Sequence, residues 1–170
     1  MNPRIELHPM TRADIPQVIE LAGRIWREHY PPIVGAAQVE YMLRNRYTEA
    51  NLLADVGAGD RWFDVLNVDG ESAGFLRCAI EAPGELRLRE IYLEARWRGR
   101  GLGRRLLEHA EALARAAGCR RIFLTVNKRN AVAIRAYERF GFTIRDSLII
   151  DIGGGFVMDD YRMVKELAAP

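Results

Sequence analysis

The stretch Ile91-Tyr92-Leu93-Glu94-Ala95-Arg96-Trp97-Arg98-Gly99-Arg100-Gly101-Leu102-Gly103-Arg104-Arg105 decides how the chain is read. It opens on an apolar run that reads as a strand. It leads into Leu106-Leu107-Glu108-His109-Ala110-Glu111-Ala112-Leu113, which has helical spacing. Between them lies a basic, glycine-rich turn, so the order is strand, turn, helix N-terminus. Glycines let the backbone turn tightly and approach a ligand with no Cβ in the way. The first N–H groups of a helix have no internal partner, and the helix dipole is positive at that end. An anion, above all a phosphate group, is the natural guest of such a turn.

Downstream of the turn, Leu102, Leu106, Leu107, Ala110, Leu113, Ala114 and Ala117 share one helical face, and Gly118 offers a C-cap. Ile122-Phe123-Leu124-Thr125-Val126 is an almost wholly apolar strand, as expected in a sheet interior. Asn130 reads as the N-cap of a helix over 131–140, which Gly141 closes. Residues 142–150 and 156–165 read as two final strands joined by Asp151-Ile152-Gly153-Gly154-Gly155.

Upstream, residues 85–93 alternate with an interruption. Leu86 and Leu88 share one parity, Ile91 and Leu93 the other, and the phase breaks at Arg89-Glu90. A β-bulge there reconciles the halves, and bulges sit often beside active sites; burial of both faces accounts for the pattern equally well. Asp69-Gly70 is a hairpin signal between strands over 62–68 and 73–80, and Pro83-Gly84 makes the next turn. Near the N-terminus, residues 4–8 alternate as a first strand. Thr11 and Asp14 have capping-box spacing, and Pro16 fits the first turn of a helix that Pro31-Pro32 stops at about Tyr30. A second helix is expected over 36–47 with Val39, Met42, Leu43 and Tyr47 inward, and a short third over 48–56. Helical crossovers make part of the sheet parallel and hairpins make the rest antiparallel.

With 170 residues, 49% hydrophobic and 28% charged, the chain is expected to form one domain over 1–170 with a sizeable core. The net charge of +2 is too small to argue for nucleic acid. Five arginines nevertheless fall within residues 96–105 without an acid among them, which suits a compact anionic ligand. Two cysteines, Cys78 and Cys119, lack metal-ligand spacing and suit a reducing compartment. No apolar signal core or membrane-length stretch is seen, so a cytoplasmic protein with no membrane partner is expected.

Two motifs together carry a resemblance to the Gcn5-related N-acetyltransferases, the GNAT superfamily. Arg98-Gly99-Arg100-Gly101-Leu102-Gly103 matches the family's acyl-CoA motif, Arg/Gln-x-x-Gly-x-Gly/Ala. Residues 130–142, from Asn130 through Ala133, Ile134 and Tyr137 to Gly141 and Phe142, match a second signature, Asn-x-x-Ala-Ile/Val-x-x-Tyr-x-x-x-Gly-Phe. The element order fits over nearly the whole chain. The region of Trp26, Tyr30 and Pro31 and the tail from Asp151 to Tyr161 resemble a bacterial subgroup that includes polyamine acetyltransferases. The resemblance implies an α/β (α+β) fold: a mixed, mostly antiparallel sheet of six to seven strands flanked by helices, with central parallel strands splayed to admit CoA.

It also implies acetyl transfer from acetyl-CoA, with no metal, to a primary amine of a small molecule by direct attack on the thioester. A protein N-terminus or lysine is the alternative acceptor. A domain that binds acetyl-CoA or nucleic acid without catalysis is a further alternative. The glycines favour CoA, because a nucleic-acid patch needs charge rather than close backbone approach. Four tasks follow. The pyrophosphate falls to Arg98, Gly99, Arg100, Gly101, Leu102, Gly103 and Arg104. The pantetheine arm falls to Ile91, Tyr92 and Leu93, with Asn130 near the CoA. Tyr137 is placed to protonate the leaving thiolate. Deprotonating the amine falls to Glu90, although Arg89 occupies the slot where the acid is sought; His29 is a second candidate. Trp26, His29, Tyr30, Asp159 and Tyr161, with Asp151 and Asp160, are expected to frame the acceptor. A monomer or homodimer is expected.

Overall fold

A computed structural model describes residues 3–168. The sequence opens with β1 (Ile5–Pro9), after which the backbone N–H and hydroxyl of Thr11 both donate to the Asp14 carboxylate at 2.7 Å. That capping box sets the entry to α1 (Ile15–His29), with proline in its first turn. Pro31-Pro32 do more than stop α1. A proline suits the first helical position, and the pair opens a single turn, α2 (Pro31–Val34). Then come α3 (Ala36–Arg46) and α4 (Glu49–Leu53), the latter capped by the Thr48 hydroxyl, which accepts from the Asn51 N–H.

The sheet then builds through β2 (Arg61–Val68), β3 (Glu71–Ala82) and β4 (Glu85–Leu93). Asp69 and Gly70 both take positive φ, 52° and 84°, as a two-residue hairpin requires. After the arginine-rich turn come α5 (Leu102–Ala116), β5 (Arg121–Asn127), α6 (Ala131–Arg139), β6 (Thr143–Gly153) and β7 (Phe156–Glu166). Of the expected α5 face, Ala117 is exposed, because the helix ends one residue earlier.

Among the described residues the strands form one sheet of seven in the order β1-β2-β3-β4-β5-β7-β6. Every neighbouring pair is antiparallel except β4 and β5. One face packs against α5 through Leu66, Leu76, Leu86, Leu106 and Ile122; the other packs against α1 and α3 through Ile25, Trp26, Met42, Phe63 and Phe75. Among the described residues no helix is long and apolar enough to cross a membrane.

Two features of β4 prepare the site. The first is the bulge. Arg77 on β3 stands opposite Glu90 and Cys78 opposite Leu88, which leaves Arg89 as the extra residue. Leu86, Leu88, Ile91 and Leu93 therefore all face the α5 side, and Tyr92 faces α1. Two-sided burial is not the explanation of the broken phase. Nor does Arg89 occupy the acid's slot: it turns outward to pair with Glu81 at 2.7 Å, and Glu90 turns in, 6% exposed. The second feature is the splay. β4 and β5 pair in parallel at Glu85–Arg121, Leu86–Ile122 and Arg87–Phe123, then diverge. Gly74 on β3 lets β4 run close here, since a Cβ at that position would lie 2.3 Å from the Tyr92 carbonyl oxygen.

Candidate active site

Where β4 and β5 part, a groove of about 510 Å³ opens on the α5 and α6 side. Ile91, Tyr92 and Leu93 form one wall, Ala133, Ala136 and Tyr137 of α6 the other, and Arg98, Gly99, Gly103 and Arg104 close one end. Backbone groups on the facing edges of the parted strands have no ladder to join, so an extended ligand with amide groups can pair with them.

The closed end is built from backbone. Gly99 and Gly101 have φ of 74° and 77°, and Gly101 is the N-cap of α5 in the left-handed conformation. Non-glycine residues reach that conformation only at a cost. The N–H groups of the first turn of α5 point out of the helix with no partner inside it. Leu102 contributes backbone only, because its side chain is 4% exposed within the core. The arginines differ in role. Arg98 donates through Nε to the Leu93 carbonyl at 3.1 Å, which ties the turn to the end of β4. Arg100 stacks on Trp97 at 5.0 Å. Arg96 is matched by Glu94 and Glu71, and Arg104 by Glu108.

Behind the groove, on the α1 and α3 side, lies a smaller cavity of about 170 Å³. Trp26, Tyr30 and Tyr92 make an aromatic wall, with Trp26 and Tyr30 stacked at 4.3 Å. Glu90 and Asp160 bring two carboxyl groups into it, and Arg46, Arg87 and Arg89 lie at its edges. Tyr30, Ile91, Tyr92, Asn130 and Tyr137 line both spaces, so the groove and the cavity meet there.

At this junction Asn130 caps α6, its side chain accepting from the Ala133 N–H at 3.4 Å, and is 5% exposed. Tyr137 packs edge-on against Phe142 at 5.8 Å, and burial pushes its hydroxyl well above the usual phenol range. It therefore carries its proton at neutral pH. Burial likewise raises Tyr92, and raises Tyr30 to about 12.

Strand parity corrects the acceptor assignment. Asp160 is 3% exposed and faces the cavity. Asp159 and Tyr161 flank it on β7, where successive side chains point to opposite faces. Tyr161 packs toward the α5 core and Asp159 pairs with Lys128 outside the cavity. His29 lines the groove, beside the Asn130 side chain. Trp26 and Tyr30 lie one turn apart on α1, but His29 is rotated away from them. Burial, then the nearby Arg98 charge, lowers its pKa. Asp151 serves its own turn, accepting from the Gly153 N–H at 2.8 Å.

The support of Glu90 comes from residues distant in sequence. The Tyr47 hydroxyl donates to Glu90 Oε2 at 3.1 Å, and Arg77 lies 3.5 Å from Oε1. Arg77 is in turn anchored by Asp55 of the loop after α4, at 2.6 Å. Tyr47 was legible as an inward residue of α3, but nothing local pairs Arg77 with Glu90. Only the β3–β4 register does.

Comparison with known proteins agrees with this geometry. Residues 17–142 match the profile of the acetyltransferase (GNAT) family. A spermidine N(1)-acetyltransferase of Thermoplasma acidophilum is 26% identical over 159 residues, 91% of this chain and 96% of its own. A spermine/spermidine N(1)-acetyltransferase of Bacillus subtilis is 38% identical over 85 residues, 49% of this chain and 51% of its own. The crystal structure of PaiA N-acetyltransferase from T. acidophilum in complex with coenzyme A superposes with a TM-score of 0.84 at 25% identity, covering 96% of this chain and 99% of that one. With its parted central strands, its glycine turn at a helix N-terminus and a family profile over most of its length, the chain belongs to the GNAT family and is an acetyl-CoA-dependent N-acetyltransferase.

Proposed function

We propose that the acceptor is a small, cationic primary amine of the polyamine type, and that it attacks the thioester directly at the junction of groove and cavity. The observation that carries this reading is the enclosed cavity with two buried carboxyl groups and a tyrosine–tryptophan wall, opening on the groove beside Tyr137. Carboxylates attract an ammonium, and aromatic faces attract it further once it is desolvated. The relatives named as spermidine and spermine acetyltransferases support the same class.

In this reading the N–H groups and arginines over 98–104 hold the pyrophosphate, and Ile91, Tyr92 and Leu93 hold the pantetheine arm along the open edge of β4. A β4 backbone N–H faces the thioester oxygen, where charge develops as the amine attacks. Glu90 and the aromatic wall of Trp26 and Tyr30 hold the amine. Tyr137 donates its proton to the leaving thiolate. The chain acts as a single domain, and its two buried free cysteines suit a reducing, cytoplasmic setting.

A structure with a peptide-bearing ligand shares the fold: Arabidopsis thaliana Naa50 in complex with the bisubstrate analogue CoA-Ac-MVNAL superposes with a TM-score of 0.67 at 21% identity. A peptide needs an open cleft, however, and this cavity is small and walled by side chains. Release of CoA thiol from acetyl-CoA, measured against polyamines, amino acids, aminoglycoside-type antibiotics and peptides, tests the reading. Turnover is expected to be highest with polyamines and diamines. Turnover with peptides alone overturns it.

A further inference from the structure

The two buried carboxyl groups of the cavity are not equivalent, and we infer that they divide the work on the acceptor amine: Asp160 takes the proton from the ammonium, and Glu90, tied to Tyr47 and Arg77, holds the amine in place. This assignment rests on the small-amine reading above.

Only a few groups lining the cavity are able to serve as a base. Tyr30, Tyr92 and Tyr137 are kept protonated at neutral pH by burial. Arg46, Arg87 and Arg89 carry no lone pair to offer. His29 lines the groove and not the cavity, its ring beside Asn130. Glu90 and Asp160 remain. Glu90 has a hydrogen-bond donor on one oxygen, Tyr47 at 3.1 Å, and a cation near the other, Arg77 at 3.5 Å. These contacts tie both of its oxygens to neighbouring residues and fix where the carboxyl group sits.

Asp160 has the opposite surroundings. It is 3% exposed, and its Oδ1 is fully buried with no hydrogen-bond partner among the described residues. It stands across from Asn127 of β5 in the cavity that Glu90 lines. A buried oxygen left unpaired is costly unless a ligand or proton meets it. The charges around it come from every side: Arg46 on α3, Arg87 on β4, Lys128 after β5 and its neighbour Asp159 on β7. Burial outweighs the cations and lifts its pKa to about 6. A carboxylate raised toward the working pH accepts a proton better than an ordinary one.

The protons then balance. An alkylammonium, with a pKa of about 10.4, has no lone pair and must lose one proton before it attacks. That proton goes to the Asp160 carboxylate. The freed lone pair forms the C–N bond at the acetyl carbon, and the C–S bond breaks with its electrons passing to sulfur. Sulfur takes a proton from Tyr137. The second proton on nitrogen restores Tyr137, and the first leaves Asp160 for solvent. The products are the acetylamide, CoA thiol and one proton released.

The test is the pH profile of kcat/KM with a diamine acceptor for the wild type, Asp160→Asn and Glu90→Gln, measured from about pH 5 to about pH 9. The wild type should show an acidic limb near pH 6. Asp160→Asn should lose that limb and about 10²-fold or more in kcat. Glu90→Gln should keep the limb and raise KM. With trifluoroethylamine, an amine already neutral at the assay pH, the Asp160→Asn deficit should shrink to a few-fold. Formate should restore activity to Asp160→Ala. Calorimetric acetyl-CoA affinity equal to wild type shows that each variant is folded. An acidic limb and kcat unchanged in Asp160→Asn, or a limb lost in Glu90→Gln, overturns the assignment alone. Wild-type transfer confined to peptides overturns the acceptor reading and the assignment together.

Discussion

The groove and the acidic cavity share five residues but draw their polarity from different sources. At the closed end of the groove the polar groups are backbone N–H groups, fixed by a glycine turn and the first turn of α5. In the cavity they are side chains, Glu90 and Asp160, each delivered by a different strand and each taken out of water. A backbone site tolerates loss of any single side chain and fails when its dihedral angles fail. A side-chain site fails at single charges, because every buried charge needs its partner.

That contrast breaks first at Arg77. Arg77→Met leaves buried Glu90 without its cation and Asp55 with Arg61 at 3.5 Å in place of the Arg77 contact at 2.6 Å. Urea unfolding should show a loss of about 3–5 kcal/mol. A loss under 1 kcal/mol would mean that the chain from Asp55 to Glu90 contributes little.

Next comes the backbone side. Gly101 has φ 77° and open space around its missing Cβ, so Gly101→Glu adds backbone strain and a negative charge at the anion site without a clash. Acetyl-CoA affinity measured by calorimetry should fall at least about a hundredfold, roughly 3 kcal/mol or more. Circular dichroism should keep its native form. Removing one arginine, as in Arg104→Ala, should cost only a few-fold, since Arg104 is exposed and paired with Glu108. Equal losses for the two variants would show that side chains, not backbone, hold the phosphate.

At the junction, Tyr137→Phe removes one hydroxyl and little packing. Turnover should fall by roughly 10²-fold, the lower end of general-acid assistance, with acetyl-CoA affinity unchanged. Wild-type turnover with an acceptor for which transfer is rate-limiting would remove Tyr137 from the chemistry.

The smallest effect has the opposite sign. Asp160, lifted to about 6 by burial, binds a proton in the folded chain over a range where the unfolded chain has lost it. Wild-type stability from this group is therefore full below about pH 4 and is lost as pH rises through about 6. Asp160→Asn lacks that dependence. It should be more stable than wild type by roughly 1–3 kcal/mol above pH 6, with the gap closing below pH 4. Urea unfolding at both ends of the window reads the difference. A less active, more stable variant marks a group retained for function.

Much of this was legible in order along the chain. The phase break at Arg89-Glu90 became a bulge, the Asp69-Gly70 pair became a turn with two positive φ values, and Asn130 became a cap. These are local signals, set by residues within a few positions of each other. The acceptor side was read less well. Asp159 and Tyr161 stood beside Asp160 in one run, and only the pairing of β7 with β5 fixes which of the three faces the cavity. His29 lines the groove beside Asn130, a placement no local signal fixes, since a helix end can turn toward either side until its neighbours are in position.

What the sequence by itself determined is the glycine turn and the helix behind it, the proposed phosphate end: they are contiguous, and their polarity is backbone geometry that short-range sterics enforce. What only the tertiary structure decided is the amine end. Glu90 and Asp160 are 70 positions apart, with their supports Tyr47, Asp55 and Arg77 on three further segments. Their charges acquire meaning when strand register and helix packing bring them together out of water, because desolvation and pairing belong to the assembled cavity and to no single stretch of chain.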